Sequence, residues 1–170
     1  MKPILTYGIP VLAVVTLLVF ALKSEAPEPS VPEPALEISE PESSTRELAM
    51  ACVTHGSAIS YHVHPELAIL VDGERVELPA DIGVDASCMR ALHTHDATGK
   101  IHIEYPTEQP FTLGDFFAVW GKPFSATQIL DKVADDSHAV TMTVNGKPST
   151  KFENLVMRDH DVIVIEYGEK

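Results

Sequence analysis

The chain has 170 residues, enough for one folded domain with appended segments. It carries 25 acidic and 12 basic residues, which gives a formal net charge of −13 at pH 7. Nucleic acid is not expected as a partner, because binding to phosphates requires clustered lysine and arginine and the sequence has no basic patch. All eight histidines lie after residue 50, so histidine chemistry belongs to the chain beyond that point.

Residues 1–23 are predicted to be a transmembrane anchor or a signal sequence. Ile4 to Leu22 form a run of 19 residues without charge, which is long enough to cross a bilayer as a helix. The alternative is a cleaved signal peptide, for which Ala21 supplies a small residue at a cut site. The anchor is preferred because the apolar run is long for a signal core, and it makes the membrane a partner of the chain.

Residues 24–45 are predicted to be a disordered linker rich in proline and glutamate. Between Ser24 and Ser44 lie five prolines, six glutamates and no basic residue, a composition that buries too little apolar surface to fold. The linker would hold residues 46–170, the predicted folded domain, away from the membrane. The predicted location is therefore membrane-anchored, with the domain on the periplasmic or extracellular side.

Cys52 and Cys88 are predicted to form a structural disulfide. They are not in a Cys-x-x-Cys arrangement, which argues against a thioredoxin-type redox motif. Joining them closes a loop of about 37 residues, worth roughly 4 kcal/mol in the chain-entropy model. The alternative is that Cys88 is a free thiolate ligand, but the disulfide is the natural choice for an extracytoplasmic domain.

Residues 92–104, the histidine hairpin, are predicted to form two antiparallel strands that carry three histidines. Turn residues at 96–99 separate two arms in which apolar and polar residues alternate. The resulting register sets His93 opposite His102 and His95 opposite Lys100, so that His93, His95 and His102 share one face. A slip of one residue would mix apolar and polar side chains on both faces, so the pattern itself favours this register.

A second histidine pair precedes the hairpin. His62 and His64 alternate on one side of an extended segment, and a Cys52–Cys88 bond would tie the segments before the two pairs together. Glu104 falls on the histidine face of the hairpin and is the preferred carboxylate. The predicted metal ligands are thus His93, His95, His102, His62, His64 and Glu104. Neutral imidazole without thiolate favours zinc or Cu(II) as the cofactor.

The alternative is that these histidines only decorate a solvated sheet face. For one lone histidine that interpretation is preferred, but three neighbours on one hairpin with a further pair upstream favour a metal site. His55 is a weaker candidate, whereas His138 and His160 are interpreted as loop residues. Asp96 and Glu66 are further carboxylates within reach, although Asp96 is equally suited to capping the turn.

Turn and helix signals predict the rest of the domain. Two hairpins are predicted around Asx-Gly turns, residues 67–78 at Asp72-Gly73 and residues 139–152 at Asn145-Gly146. Thr112 and Asp115 predict a capped helix that ends at Gly121, with one aromatic face. Residues 46–58 are open between a helix and a lead-in, residues 124–133 are open between strand and helix, and residues 162–167 form a last strand.

The predicted fold class is α+β. Its elements are a small mixed or antiparallel sheet of six or seven strands, β-grasp-like at its C-terminal end, and one main helix that covers it. The transmembrane helix and the disordered linker precede this domain.

Two motifs carry a resemblance to a known family. LHTHDxxGxIHIE at 92–104 and FTLGxFFxVWG at 111–121 resemble a family of uncharacterised, membrane-tethered extracytoplasmic proteins of bacteria and archaea. The resemblance covers about residues 60–168. It implies an exported domain whose histidine motif accompanies the fold, and it implies no particular activity.

Three functions remain open at this stage. The first is a tethered domain that binds copper or zinc, as a carrier or a sensor. The second is a non-catalytic binding or assembly module in which the histidine motif is structural and a membrane protein is the partner. The third is a metal-dependent enzyme, since a three-histidine zinc site with an open position generates hydroxide near neutral pH. The enzyme is less favoured, because no His-Glu-x-x-His, Gly-x-Ser-x-Gly or phosphate-loop motif is present.

Overall fold

The computed structural model describes residues 40–53 and 56–170. Within these ranges the helices are α1 (Glu40–Met50), α2 (Leu113–Trp120) and a 3₁₀ helix (Phe152–Asn154). The strands are β1 (Tyr61–Val63), β2 (Glu66–Val71), β3 (Glu74–Val76), β4 (Val84–Asp85), β5 (Cys88–Met89), β6 (Leu92–His93), β7 (His102–Tyr105), β8 (Phe124–Ser125), β9 (Gln128–Ile129), β10 (Lys132–Val133), β11 (His138–Val144), β12 (Lys147–Pro148) and β13 (Val162–Glu169).

The predicted anchor, residues 1–23, lies outside the described residues, as does the predicted linker up to residue 39. In the part of the chain that the structure describes, no helix combines the length and apolarity that a membrane span requires. Helix α1 begins at Glu40, inside the stretch predicted as linker.

The largest sheet has five strands in the order β12-β11-β13-β2-β3. Its central strands β13 and β2 are parallel, and the flanking pairs are antiparallel. Both predicted Asx-Gly hairpins are confirmed, with Ile69 opposite Val76 and Val144 opposite Lys147. Each turn places its Asx residue and its glycine at positive φ, which is the conformation that two-residue hairpins require. The α+β class is thus confirmed.

Within the described residues, the strands are divided among four sheets rather than gathered in one sheet of six or seven. The histidine hairpin belongs to a three-stranded sheet in the order β1-β7-β6, and residues 124–133 form the short strands β8, β9 and β10. The predicted pairing of His95 with Lys100 does not form. Instead, the hairpin tip bonds to the start of β2: Leu67 N donates to the Gly99 carbonyl at 2.8 Å, and Ile101 N to the Pro65 carbonyl at 2.9 Å.

Helix α2 has the predicted ends. The Thr112 side chain accepts from Asp115 N, and the Asp115 carboxylate accepts from Thr112 N, so the capping box is complete. Gly121 closes the helix with a left-handed φ of 70°. Leu113, Phe116 and Phe117 are buried in one core with residues of the five-stranded sheet, as the aromatic face predicts.

Helix α1 is fixed to the domain although it begins in a proline- and glutamate-rich stretch. Arg46 Nε donates to the buried Asp115 carboxylate at 2.7 Å, and Ala49 is fully buried. Directly after the helix, the predicted disulfide between Cys52 and Cys88 is confirmed. The end of α1 is thereby joined to the segment that leads into β6.

A loop of residues 79–83 lies against β6 and makes a close backbone approach at Gly83. Thr94 N donates to the Ile82 carbonyl at 3.0 Å, and Arg90 N donates to the Gly83 carbonyl at 2.8 Å. A Cβ at Gly83 would collide with the Leu92 carbonyl, and φ there is +74°. Only glycine meets both conditions, so this residue sets how closely the loop covers the histidine hairpin.

Replacement of Gly83 by alanine should therefore destabilise the domain more than replacement of Gly73. Gly73 has φ of +82° with open space around its missing Cβ, so Gly73→Ala isolates the backbone strain. We expect a loss of about 1 kcal/mol for Gly73→Ala and about 1–3 kcal/mol more for Gly83→Ala, measured by urea unfolding. Equal losses in the two variants would contradict the close approach at Gly83.

Candidate metal centre

Strand β7 is the middle strand of its sheet, and it brings donors from three strands together. His102 lies opposite His93 of β6, and Glu104 lies opposite His62 of β1. Residues two apart on a strand point to the same face, so His102 and Glu104 project together. The predicted register of the hairpin is confirmed at His93–His102 and at Leu92–Ile103.

The opposite face of the hairpin anchors it in the core. Leu92, Ile101 and Ile103 are fully buried, and they belong to the same hydrophobic core as α2. This apolar face fixes the register, because a slip of one residue would drive histidines into the core. The alternation of the sequence therefore determines where the imidazoles emerge.

Six donor residues fall into two overlapping groups, and within each group the ligand atoms lie within 4.8 Å of one another. The inner group is His93, His95, His102 and Glu104; the outer group is His62, His64 and His102. Every residue predicted as a metal ligand is thus in one of the two groups. The two histidine pairs converge because β1 pairs directly with β7, which is a closer link than the disulfide.

The distances around Glu104 are short enough for an ion. Glu104 Oε1 lies 3.0 Å from His62 Nε2, 3.7 Å from His102 Nδ1 and 3.9 Å from His93 Nε2. Two ligands of one tetrahedral zinc ion, each at about 2.0–2.1 Å from the metal, are about 3.3 Å apart. Within the inner group, the distances from Glu104 to His102 and His93 would therefore need to shorten by only about half an ångström to match two ligands of one ion.

His93 is held in the tautomer that a metal requires. Its side chain is fully buried, and Nδ1 lies 2.9 Å from the Arg90 carbonyl oxygen. A carbonyl only accepts, so Nδ1 carries the hydrogen and Nε2 carries a free lone pair. Histidine ligands of metals are oriented in this way, by donating the other ring N–H to a carbonyl.

The lone pair of His93 has no partner. Among the described residues, three buried side-chain polar atoms lack a hydrogen bond: His93 Nε2, His102 Nδ1 and Glu153 Oε2. Two of the three are in the inner group, and both face the Glu104 carboxylate. A cation between these atoms would satisfy all of them, whereas buried polar atoms are otherwise almost always paired.

The environment keeps the central imidazoles neutral. Burial, and then the neighbouring His64 and His93, lower the pKa of His102 from 6.5 to about 4. Burial also lowers the pKa of His93, against the opposing effect of its hydrogen bond to Arg90. The pKa of His64 is lowered first by burial and then by His62. Neutral imidazole is the form that binds metals.

The remaining candidates lie apart from the two groups. Asp96 caps its own turn, and its pKa is lowered by the hydrogen bonds that it accepts from the Thr98 hydroxyl and from Thr98 N. Glu66 is the first residue of β2, and its backbone forms an antiparallel β-bridge with that of Lys100. His160 is an exposed turn residue as predicted, whereas His138 begins strand β11 and stacks on Tyr167 instead of lying in a loop. His55 lies outside the described residues.

No family model, curated protein or solved structure matches this chain. The resemblance carried by the motifs at 92–104 and 111–121 stays a prediction. The case for a function therefore depends on the geometry of the inner and outer groups.

Two features that position the site were not predicted from the sequence. The Arg90 carbonyl orients His93 through main-chain geometry, which side-chain patterns do not reveal. The loop at 79–83 covers one side of the hairpin. Gly83 is the residue in this loop that could have indicated the close packing, but the stretch has the sequence pattern of an ordinary loop. Both contribute to the complete burial of His93.

The metal-free protein should lose stability as the pH falls. The pKa of His102 is about 4 in the folded chain, against an ordinary value of 6.5. Between these values the unfolded chain binds more protons than the folded chain, so the free energy of unfolding decreases on acidification. We expect a decrease of about 2 kcal/mol from His102 between about pH 6.5 and pH 4.5, measured by urea unfolding with a chelator present.

The matched comparison is His102→Gln against His160→Gln. The first should reduce the pH dependence of unfolding without abolishing it, because His93 and His64 also have lowered pKa values. The second replaces an exposed turn histidine outside both groups and serves as the control. A wild-type slope that persists in His102→Gln would contradict the assignment.

Proposed function

We propose that this chain is a membrane-tethered, extracytoplasmic metal-binding domain that holds Cu(II) or Zn(II) on the inner group. The observation that carries the proposal is the pair of buried nitrogens, His93 Nε2 and His102 Nδ1, that face the Glu104 carboxylate without a hydrogen-bond partner. A cation would supply the missing partner for both nitrogens at once, and the Glu104 carboxylate would balance its charge.

The donor chemistry supports a borderline metal. Three imidazoles and one carboxylate suit zinc and Cu(II), whereas Cu(I) prefers thiolate or thioether ligands. Both cysteines are in the disulfide, so neither offers a thiolate to the site. His93 would be the anchoring ligand, because its orientation is fixed by the Arg90 carbonyl before any ion arrives.

A carrier or sensor role is favoured over catalysis by the exposure of the donors. His95 is exposed, and the His62 side chain is 48% exposed beside the shared Glu104 carboxylate. An ion held here would be accessible to a partner that delivers or removes it. The membrane anchor, the extracytoplasmic location and a membrane-protein partner are parts of this proposal, supported by the apolar run 4–22 and by the disulfide.

The β-grasp likeness is also proposed rather than assigned. It is supported by the sheet order β12-β11-β13-β2-β3, in which one hairpin lies on each side of β13, β13 is parallel to β2, and α2 comes between the two hairpins in sequence. In this arrangement the three-stranded sheet β1-β7-β6 is an addition to the five-stranded sheet. Backbone hydrogen bonds between residues 65–67 and residues 99–101 join it to the beginning of β2.

Metal titration of the full chain tests the proposal. Purified without a histidine tag, the chain should bind Cu(II) or Zn(II) saturably, measured by calorimetry against a competing chelator. A His93→Ala, His95→Ala, His102→Ala variant should lose about 100-fold or more in affinity, because it removes three of four ligands.

The control is a His138→Asn, His160→Asn variant, which removes two histidines that lie outside both groups. It should bind as the wild type does. Because His93 is buried, far-UV circular dichroism must first show that the triple variant is folded. Unchanged affinity in a folded triple variant, or no binding by the wild type, would refute the proposed function.

A further inference from the structure

A single ion on the inner group would leave the outer group of histidines without a role. His62 lies in β1 and His64 directly follows that strand, outside the hairpin, yet both reach His102. The His64 ring lies 4.7 Å from the His102 ring, the same distance as the His95 ring on the inner side. His102 is therefore flanked by equivalent neighbours on both sides.

One ion position is too small for all six donors. Two nitrogens that bind the same ion at about 2.0–2.1 Å are at most about 4.2 Å apart. Ligand atoms lie within 4.8 Å of one another inside each of the two groups, and the two groups have only His102 in common. The geometry is that of two neighbouring ion positions.

The two positions differ in their access to solvent. The inner group is built on His93, which is fully buried and already oriented by a backbone carbonyl. The outer group has no buried member, and the His62 side chain is 48% exposed. An ion that arrives from solution meets the outer donors first.

The shared residue makes the two positions mutually exclusive. A neutral imidazole has one free lone pair, so His102 serves one ion at a time. Glu104 is within reach of both positions, at 3.0 Å from His62 Nε2 and 3.7 Å from His102 Nδ1. An ion can therefore pass from one position to the other without losing the carboxylate.

We propose that His62, His64 and His102 form a second, outer position for a borderline divalent cation, through which the ion enters and leaves the inner position. This inference depends on the proposed function, because it needs the inner group to bind metal. It adds that one chain holds one ion and that β1 controls the exchange of that ion with acceptors.

The first test separates rate from affinity, with Cu(II) as the probe and the full chain in detergent. His62→Ala, His64→Ala should leave the equilibrium affinity within about threefold of wild type, since the inner ligands are intact, and should slow removal of Cu(II) by a chelator about tenfold. The control is the His138→Asn, His160→Asn variant, for which the rate should not change. An unchanged removal rate in the β1 variant would overturn the inference.

The second test isolates the outer position. His95→Ala, Glu104→Gln removes one exposed and one partly buried inner ligand, neither of them in the hydrophobic core, so the fold should persist. This variant should still bind one Cu(II), about 10–100-fold more weakly, with an altered electron paramagnetic resonance spectrum. Addition of His62→Ala and His64→Ala should abolish that binding.

The outcomes separate the two proposals. No Cu(II) or Zn(II) binding by the wild type would refute the proposed function itself. Binding by the wild type would refute only the outer position if binding is completely lost in His95→Ala, Glu104→Gln, or if binding persists in the variant that combines these two substitutions with His62→Ala and His64→Ala. Two ions bound per wild-type chain would refute the shared use of His102.

Discussion

The site depends on one hydrogen bond, from the buried ring of His93 to the Arg90 carbonyl. That bond uses Nδ1–H and leaves the Nε2 lone pair inside the domain with no donor to satisfy it. A buried acceptor that faces a carboxylate is an unfavourable arrangement unless a cation separates the two. The protein maintains this arrangement with its core, because the opposite face of the hairpin is packed among fully buried aliphatic residues.

Several remote contacts act on the segment that positions this bond. The disulfide joins Cys52 to Cys88, and the backbone of Cys52 forms an antiparallel β-bridge with that of Arg90. In addition, Arg90 Nε donates to the Met50 carbonyl at 3.1 Å. On the other side, Gly83 allows the loop at 79–83 to bond to the same strand. The end of α1, the disulfide and the loop therefore all hold the carbonyl that orients His93. Stability of the domain and preorganisation of the site are coupled through these contacts.

The sequence predicted those parts of the fold that depend on local patterns. Alternation at 92–104 gave the register of His93 with His102, Asx-Gly pairs gave both hairpins, and Thr112 with Asp115 gave the capped helix. The parts that depend on long-range pairing were not predictable in the same way. No local signal shows that β1 pairs with β7, or that residues 99–101 bond to 65–67 and so end the ladder before His95.

The same distinction between local patterns and long-range pairing applies to the candidate site. All six candidate ligands were identifiable by residue type and spacing, because residues two apart on a strand point to one face. Their division into inner and outer groups was not, since it arises from the three-stranded order of the sheet. The burial of His93 could not be predicted either, because it depends on the loop at 79–83 and on the Arg90 carbonyl rather than on the residues that adjoin His93 in the sequence.

The most direct measurement of the central claim is the protonation state of the His93 ring, from long-range ¹H–¹⁵N correlation spectra of the labelled full chain. Without metal, the account predicts a neutral ring with hydrogen on Nδ1 and none on Nε2. On addition of Zn(II), the Nε2 resonance should shift while Nδ1 stays protonated. A ring with hydrogen on Nε2, or an Nε2 resonance that does not respond to Zn(II) or Cu(II), would contradict the account.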